Sequence, residues 1–296
     1  MPCFKSNKAA ESLSFTVGSE SGGLRLDNFL HRKMGVSQRI IRSAKLRENG
    51  ITVDGISAKT IDILKAGQVV NILLPKPFCD IEPSGIRLDI VYEDPHYILL
   101  NKQSGVPVHP TSCNHTDDTL ANGIVQHMKE LKDYYCVSIV NRLDKNTSGL
   151  VLVAKNAYAA EQAVKSAKKT YLAICSGQLR SGGKIDLPIA REENSIIKRC
   201  VSAAGKTAIT NYQPVKSLDE GTLLSITLEN GRTHQIRVHL SHIGHPLLGD
   251  DLYGGSTDKI NRHALHCAEL SFFHPILGKE LFFKAELPLD MAALLA

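Results

Sequence analysis

The sequence predicts an α+β protein of two domains, a small basic one at the front and a larger strand-rich body behind it. Three observations carry that prediction. The chain has 296 residues, about twice a typical domain. Its 43% hydrophobic and 22% charged residues are those of an ordinary globular protein, which excludes a disordered or collagenous chain. Its charge is divided unevenly: residues 1–76 hold 12 Lys/Arg against 6 Asp/Glu, whereas residues 77–296 hold 23 against 24. The whole positive excess therefore sits in the first quarter, the pattern of a polyanion-binding module on a near-neutral body; a solubilising basic surface fits the charge equally well.

Residues 1–23 are rich in Ser, Gly and Lys and read as a mobile arm. From Leu24 the pattern sharpens. Leu26, Phe29 and Leu30 fall at i, i+3, i+4 and predict a short amphipathic helix, closed by Gly35, with Ser37 as N-cap of the next. In that second helix Arg39, Arg42 and Lys45 share one face while Ile40, Ile41 and Ala44 turn inward, and a row of cations suits a phosphate backbone. Ile51–Val53 running into Asp54-Gly55, and Val69–Leu74 after Gly67, predict two strands. Pro75, Pro77 and Pro83 mark a linker at 77–85 after a domain at 24–76.

The body, 86–296, shows short strands at Asp89–Asp94, Tyr97–Lys102, Ser138–Val140 and Leu150–Ala154, and an Ala-rich helical stretch at 157–168. Between the third and fourth strands lies the polar insert Asn141-Arg142-Leu143-Asp144-Lys145-Asn146-Thr147-Ser148-Gly149. A carboxylate two residues after a guanidinium, on a loop held by buried strands, is a catalytic arrangement. An Asp-Lys-Asn turn that satisfies its own backbone is the reading these residues favour on their own.

Other readings are weaker. Cys200 to Thr207 ends like a phosphate-binding loop but has Cys where its first Gly must stand. His234, His239, His242 and His245 suggest zinc and a metal-dependent hydrolase, yet Gly244 and Pro246 break any helix there and no nearby Cys or Glu completes a ligand set. The seven Cys, at 3, 79, 113, 136, 175, 200 and 267, include no C-x-x-C pair and are expected as reduced thiols in a cytoplasmic protein. The N-terminus lacks the apolar core of a signal peptide, and no apolar run approaches the roughly 18 residues of a membrane span, so no membrane partner is expected.

Two resemblances sharpen this picture. Arg25-Leu26-Asp27-Asn28-Phe29-Leu30, Ser37-Gln38-Arg39, Asn49 to Gly55 and Lys65 to Val70 resemble the S4 RNA-binding domain, which implies recognition of structured RNA through shape and phosphates. Asn141 to Leu150 resembles the H-R-L-D-x-x-T-S-G-L signature of the RluA-type pseudouridine synthases. Asn101 to Pro110, Lys169-Thr170-Tyr171-Leu172-Ala173, and Asn230 to Leu240 with Gly244 to Asp250 resemble that family's other motifs, in its order. The departures are Asn141, where the family has His, and Gln103, where it has Pro.

The resemblance implies a catalytic body around a mixed, largely antiparallel sheet, and isomerisation of uridine to pseudouridine in RNA, ribosomal RNA before transfer RNA. No cofactor and no obligatory protein partner is expected. It implies Asp144 as nucleophile, Arg237 as its bidentate partner, Tyr171 as the ring that stacks on an extruded uracil, and Arg142 as a group that fills the vacated stack or bonds the neighbours of the flipped base. A catalytically silent RNA-binding or ribosome-assembly protein is the rival of another class, and the intact Asp144, Tyr171 and Arg237 set argues against it.

Overall fold

The computed structural model describes residues 12–75, 81–110, 118–135 and 137–295. Residues 12–75 build a four-stranded antiparallel sheet from β1 (Ser12–Thr16), β2 (Ile51–Val53), β3 (Ile56–Ser57) and β4 (Val69–Leu73), in the order β1-β4-β2-β3. β1 corrects the expectation of a mobile arm over its described part, 12–23; residues 1–11 of that expected arm lie outside the described residues. Leu13 and Val17 are buried and Phe15 packs beside them, a period of two that the intervening Ser12 and Ser14 disguise as low complexity. Against this sheet pack α1 (Leu26–Asn28), which widens into a π turn over Phe29–Lys33, and α2 (Gln38–Lys45). Leu26, Phe29, Leu30, Ile40, Ile41 and Ala44 are buried, and Ser37 caps α2 by accepting from the Ile40 N–H.

The larger sheet holds β5 (Ile90–Glu93), β6 (Tyr97–Lys102), β7 (Ser138–Ile139), β8 (Ser148–Ala154), β9 (Lys168–Ser176), β10 (Gly183–Asp186), β13 (Ile209–Ser217), β14 (Gly221–Leu228), β15 (Leu265–His274) and β16 (Lys279–Lys284), while β11 (Ile189–Arg191) and β12 (Arg199–Val201) form a separate ribbon. Its long path runs β10-β13-β14-β9-β15-β8-β6-β5, and among the described pairings only β15 with β8 is parallel. That contact is short, His266 opposite Ser148 and Cys267 opposite Gly149, because the rest of β15 pairs with β16. Gly149 is required there: its φ is +110°, and a Cβ would lie 2.3 Å from the Cys267 carbonyl.

The helices are α3 (Leu120–Leu131), α4 (Ala157–Ser166), α5 (Gln235–His242) and α6 (Leu289–Ala292). The core is formed by the near-continuous apolar runs of β6 and β8 with Ile124, Met128, Ala159 and Ala163 of the helices. The described part of the expected linker lies along α3, where Asn122 donates to the Glu82 carbonyl. The N-terminal unit rests on α4. Tyr158 is buried in that unit's core, its hydroxyl donates to the Met34 carbonyl (2.7 Å), and Gln162 donates to the Gly35 carbonyl (2.7 Å).

Candidate active site

Asp144 stands on the turn that joins β7 to β8. Leu143 is buried and anchors the turn, and the Thr147 N–H closes it on the Asp144 carbonyl at 3.0 Å. Neighbouring segments take up its other backbone groups. The Lys145 carbonyl accepts from the Gly105 N–H and from Lys102 Nζ, both at 3.0 Å. The Asn146 carbonyl accepts from Ser104 Oγ at 3.0 Å and Arg262 Nη1 at 3.1 Å. Below it, Thr147 Oγ1 pairs with His263 Nε2 (2.8 Å) and Ser148 Oγ with His266 Nδ1 (2.9 Å). Asn141 bonds both to the Leu150 carbonyl and from the Leu152 N–H, so the carboxamide supplies the donor and the acceptor that β8 needs.

Burial pulls the Lys102 ammonium down to about 7, and the charge of Asp144 opposes the shift. Its Nζ meets the carbonyls of Gln103, Val106 and Lys145, three acceptors for the three donors of an ammonium. His263 is driven down to about 2, by burial first and then by Arg237 and Arg262, so it holds Thr147 as a neutral imidazole.

Arg237, on α5, reaches the Asp144 carboxylate but does not grip it with both arms. Its Nε and Nη2 donate to Asp250 Oδ2 and Oδ1 at 2.7 and 2.8 Å, and only Nη1 turns to Asp144 Oδ2, at 3.3 Å. The expected bidentate pairing with Asp144 is thus corrected: the fork belongs to Asp250, which is fully buried and needs both donors. His234 Nε2 lies 3.8 Å from the same Oδ2, while Oδ1 has no hydrogen-bond partner among the described residues. One oxygen of Asp144 is held and the other is free.

His234 itself sits in the left-handed region, φ 57°, at the start of α5. Its Nδ1 is 2.9 Å from Tyr253 Oη, which accepts from the Arg199 N–H. Burial lowers the His234 pKa against the pull of Asp144, which favours the neutral ring. The Arg237 guanidinium lies 5.0 Å above the Tyr253 ring.

Tyr171, on β9, is buried, with 7% of it exposed. Burial, then the neighbouring Cys267 and the charge of Asp144, push its phenol well above the ordinary range, and it is a protonated donor at neutral pH. Arg142 is exposed beside the turn. Arg42 and Lys45 are exposed on the N-terminal unit, whereas Arg39 is drawn to Glu161 of α4 at 3.3 Å. A cleft of about 320 Å³ lies on that unit, beside Lys45, Arg47 and Lys59, away from Asp144.

Sequence reasoning missed Asp250, Lys102, Arg262 and His263. Asp250 and Lys102 lie inside quoted motifs, but a charge to be buried against a partner has no local pattern. The four His do not converge: His239 pairs with Thr210 and the Leu187 carbonyl, and His245 with the Ser176 carbonyl. Among the described residues no group of three His, Cys, Asp or Glu is placed to hold a metal.

The mixed sheet thus brings together a half-buried Asp, a shared Arg and a buried Tyr in an α+β body. RNA pseudouridylate synthase matches residues 96–242. The chain is 37% identical over 273 residues to the uncharacterized RNA pseudouridine synthase YjbO of Bacillus subtilis, covering 89% of this chain and 95% of that one. It is 35% identical to ribosomal large subunit pseudouridine synthase D of Pseudomonas aeruginosa, over 95% of this chain and 93% of the relative. Among solved structures, human RNA pseudouridylate synthase domain containing 1 superposes with a TM-score of 0.56 at 26% identity, over 70% of this chain and 86% of that one. The chain belongs to the RluA-type RNA pseudouridine synthase family.

Proposed function

We propose that the protein converts one or a few uridines of ribosomal RNA to pseudouridine, with Asp144 as nucleophile. The reaction breaks the N1–C1′ bond, turns the base and joins C5 to C1′; a proton leaves C5 and one is gained at N1. No electrons are exchanged, so the step asks for an anion, a proton route and an extruded base. The observation that carries the reading is the asymmetric hold on Asp144: Oδ2 is fixed by Arg237 and Oδ1 is free to attack. Tyr171 supports it as the ring that receives the base and as a proton donor, base stacking being worth about 1–3 kcal/mol. Arg142 occupies the gap left in the RNA stack. The relative named for the ribosomal large subunit favours ribosomal RNA over transfer RNA.

In the same reading residues 24–76, extended forward by β1, are an S4-like domain that anchors structured RNA through Arg42 and Lys45, with Arg39 at its junction with the body at 86–296. No cofactor takes part. Asp144→Asn tests the proposal: the variant folds and binds RNA but leaves no carbodiimide-dependent, alkali-resistant stop in treated RNA. Turnover at the wild-type rate removes Asp144 from the mechanism.

A further inference from the structure

The Asp144 turn is gripped from two directions. Lys102, at the end of β6, and Ser104 and Gly105 just after it hold it from one side, and Arg262 holds it from the segment before β15. Arg262 is 8% exposed, and its donors are divided. Nη1 reaches the Asn146 carbonyl at 3.1 Å and the His263 and Leu265 carbonyls at 3.3 and 3.4 Å. Nε and Nη2 meet Asp290, in the first turn of α6, at 2.6 and 2.9 Å. A guanidinium is a rigid plane, so fixing one edge of it aims the other. Asp290 fixes the edge formed by Nε and Nη2, and the aimed corner ends on the carbonyl two residues beyond Asp144. With Ser104 alone on that carbonyl, the turn is free to lean toward the segment after β6.

We propose that Arg262 and Asp290 are a positioning pair for the isomerisation: the Asp290 carboxylate orients the guanidinium, and the guanidinium sets the Asn146 carbonyl and with it the reach of Asp144. This rests on the reading of Asp144 as nucleophile. Neither residue touches the nucleoside; both act through the turn.

The test is single-turnover pseudouridine formation in RNA from cells lacking the gene, with enzyme in excess and below the melting temperature of every variant. Asp290→Asn removes the charge that orients the plane, and Arg262→Lys replaces the fork by a single point. A displacement near 1 Å costs up to about 100-fold, so each variant should lose about 10–100-fold in rate with RNA affinity unchanged. Asp290→Glu keeps the ion pair and should recover most of that loss, which also reads the proposal in a chain whose fold is intact. A wild-type rate in Asp290→Asn or Arg262→Lys, with only the melting temperature lowered, reduces the pair to a staple and overturns the proposal. Asp144→Asn run alongside separates the two claims: if it is active the nucleophile reading fails, and if it is dead while Asp290→Asn runs at full rate only the pair fails.

Discussion

Replacing Asp250 by Ala should be among the most damaging changes in the pocket, for stability before chemistry. The carboxylate is fully buried and takes two charge-assisted bonds of 2.7 and 2.8 Å from a guanidinium that is itself nearly buried. Removing one partner of such a pair leaves an uncompensated buried charge, at a cost of about 3–5 kcal/mol. Arg237 would keep Asp144 at 3.3 Å and the Tyr253 ring at 5.0 Å, contacts it already makes beside Asp250, so they do not offset the loss. Against a total stability on the order of 5–15 kcal/mol the loss is large. Urea unfolding followed by circular dichroism should show the midpoint falling by roughly 1–3 M. The freed guanidinium should also swing onto both oxygens of Asp144, so the surviving folded protein should be slow. A shift of the size of a surface ion pair, about 0–1 kcal/mol, with activity kept would refute the assignment of Asp250 as the anchor.

The remaining predictions concern proton transfer, acid stability and RNA contact. Tyr171→Phe keeps the ring but loses the raised-pKa donor, and should slow single-turnover formation by about 100-fold with RNA affinity unchanged; wild-type turnover excludes the phenol from proton transfer. His263 is neutral in the fold down to about 2, whereas the unfolded chain takes up a proton near 6.5, so the unfolded state binds more protons between those values. Stability is complete above 6.5 and falls as pH drops below it, by up to about 1.4 kcal/mol per unit. His263→Asn should flatten the acid limb of urea midpoints measured from pH 7 to pH 4, and an unchanged slope would show that His263 does not carry it. Arg42→Glu and Lys45→Glu should each weaken RNA binding and lower its log–log salt slope by about one unit, whereas Arg39→Glu, already paired with Glu161, should move the slope little; filter binding at graded salt distinguishes them.

What the sequence revealed follows from the range of each interaction. The i, i+3, i+4 spacing of Leu26, Phe29 and Leu30 and the apolar runs of β6 and β8 declare themselves locally, and all are buried as read. β1 escaped because its outward positions are Ser12, Ser14 and Thr16, which carry no contrast beyond polarity. The kinship of the site was legible in four ordered motifs, but its wiring was not. Asp144 and Arg237 stand 93 residues apart, and nothing in the spacing says that Asp250, 13 residues beyond Arg237, claims the fork. Lys102 reads as a polar strand end, yet it is 2% exposed, because only the folded chain assembles the three carbonyls that an ammonium needs.

That wiring also bears on reactivity. A carboxylate that accepts both arms of a guanidinium is stabilised as an anion at both oxygens, and the same interaction that keeps it charged blunts it as a nucleophile. Here the two demands fall on different groups. Asp250 neutralises Arg237 and locks its plane, and Arg237 can offer Asp144 only the remaining Nη1, on Oδ2. The positive charge that Arg237 presents to Asp144 is therefore partly spent before it arrives, and among the described residues Oδ1 has no hydrogen-bond partner. The turn cannot relax to give Oδ1 another partner, since the carbonyls of Lys145 and Asn146 are fixed by Gly105, Lys102, Ser104 and Arg262. In the proposed reaction a flipped uridine would meet an oxygen whose place is set in advance, which is the preorganisation a covalent step requires.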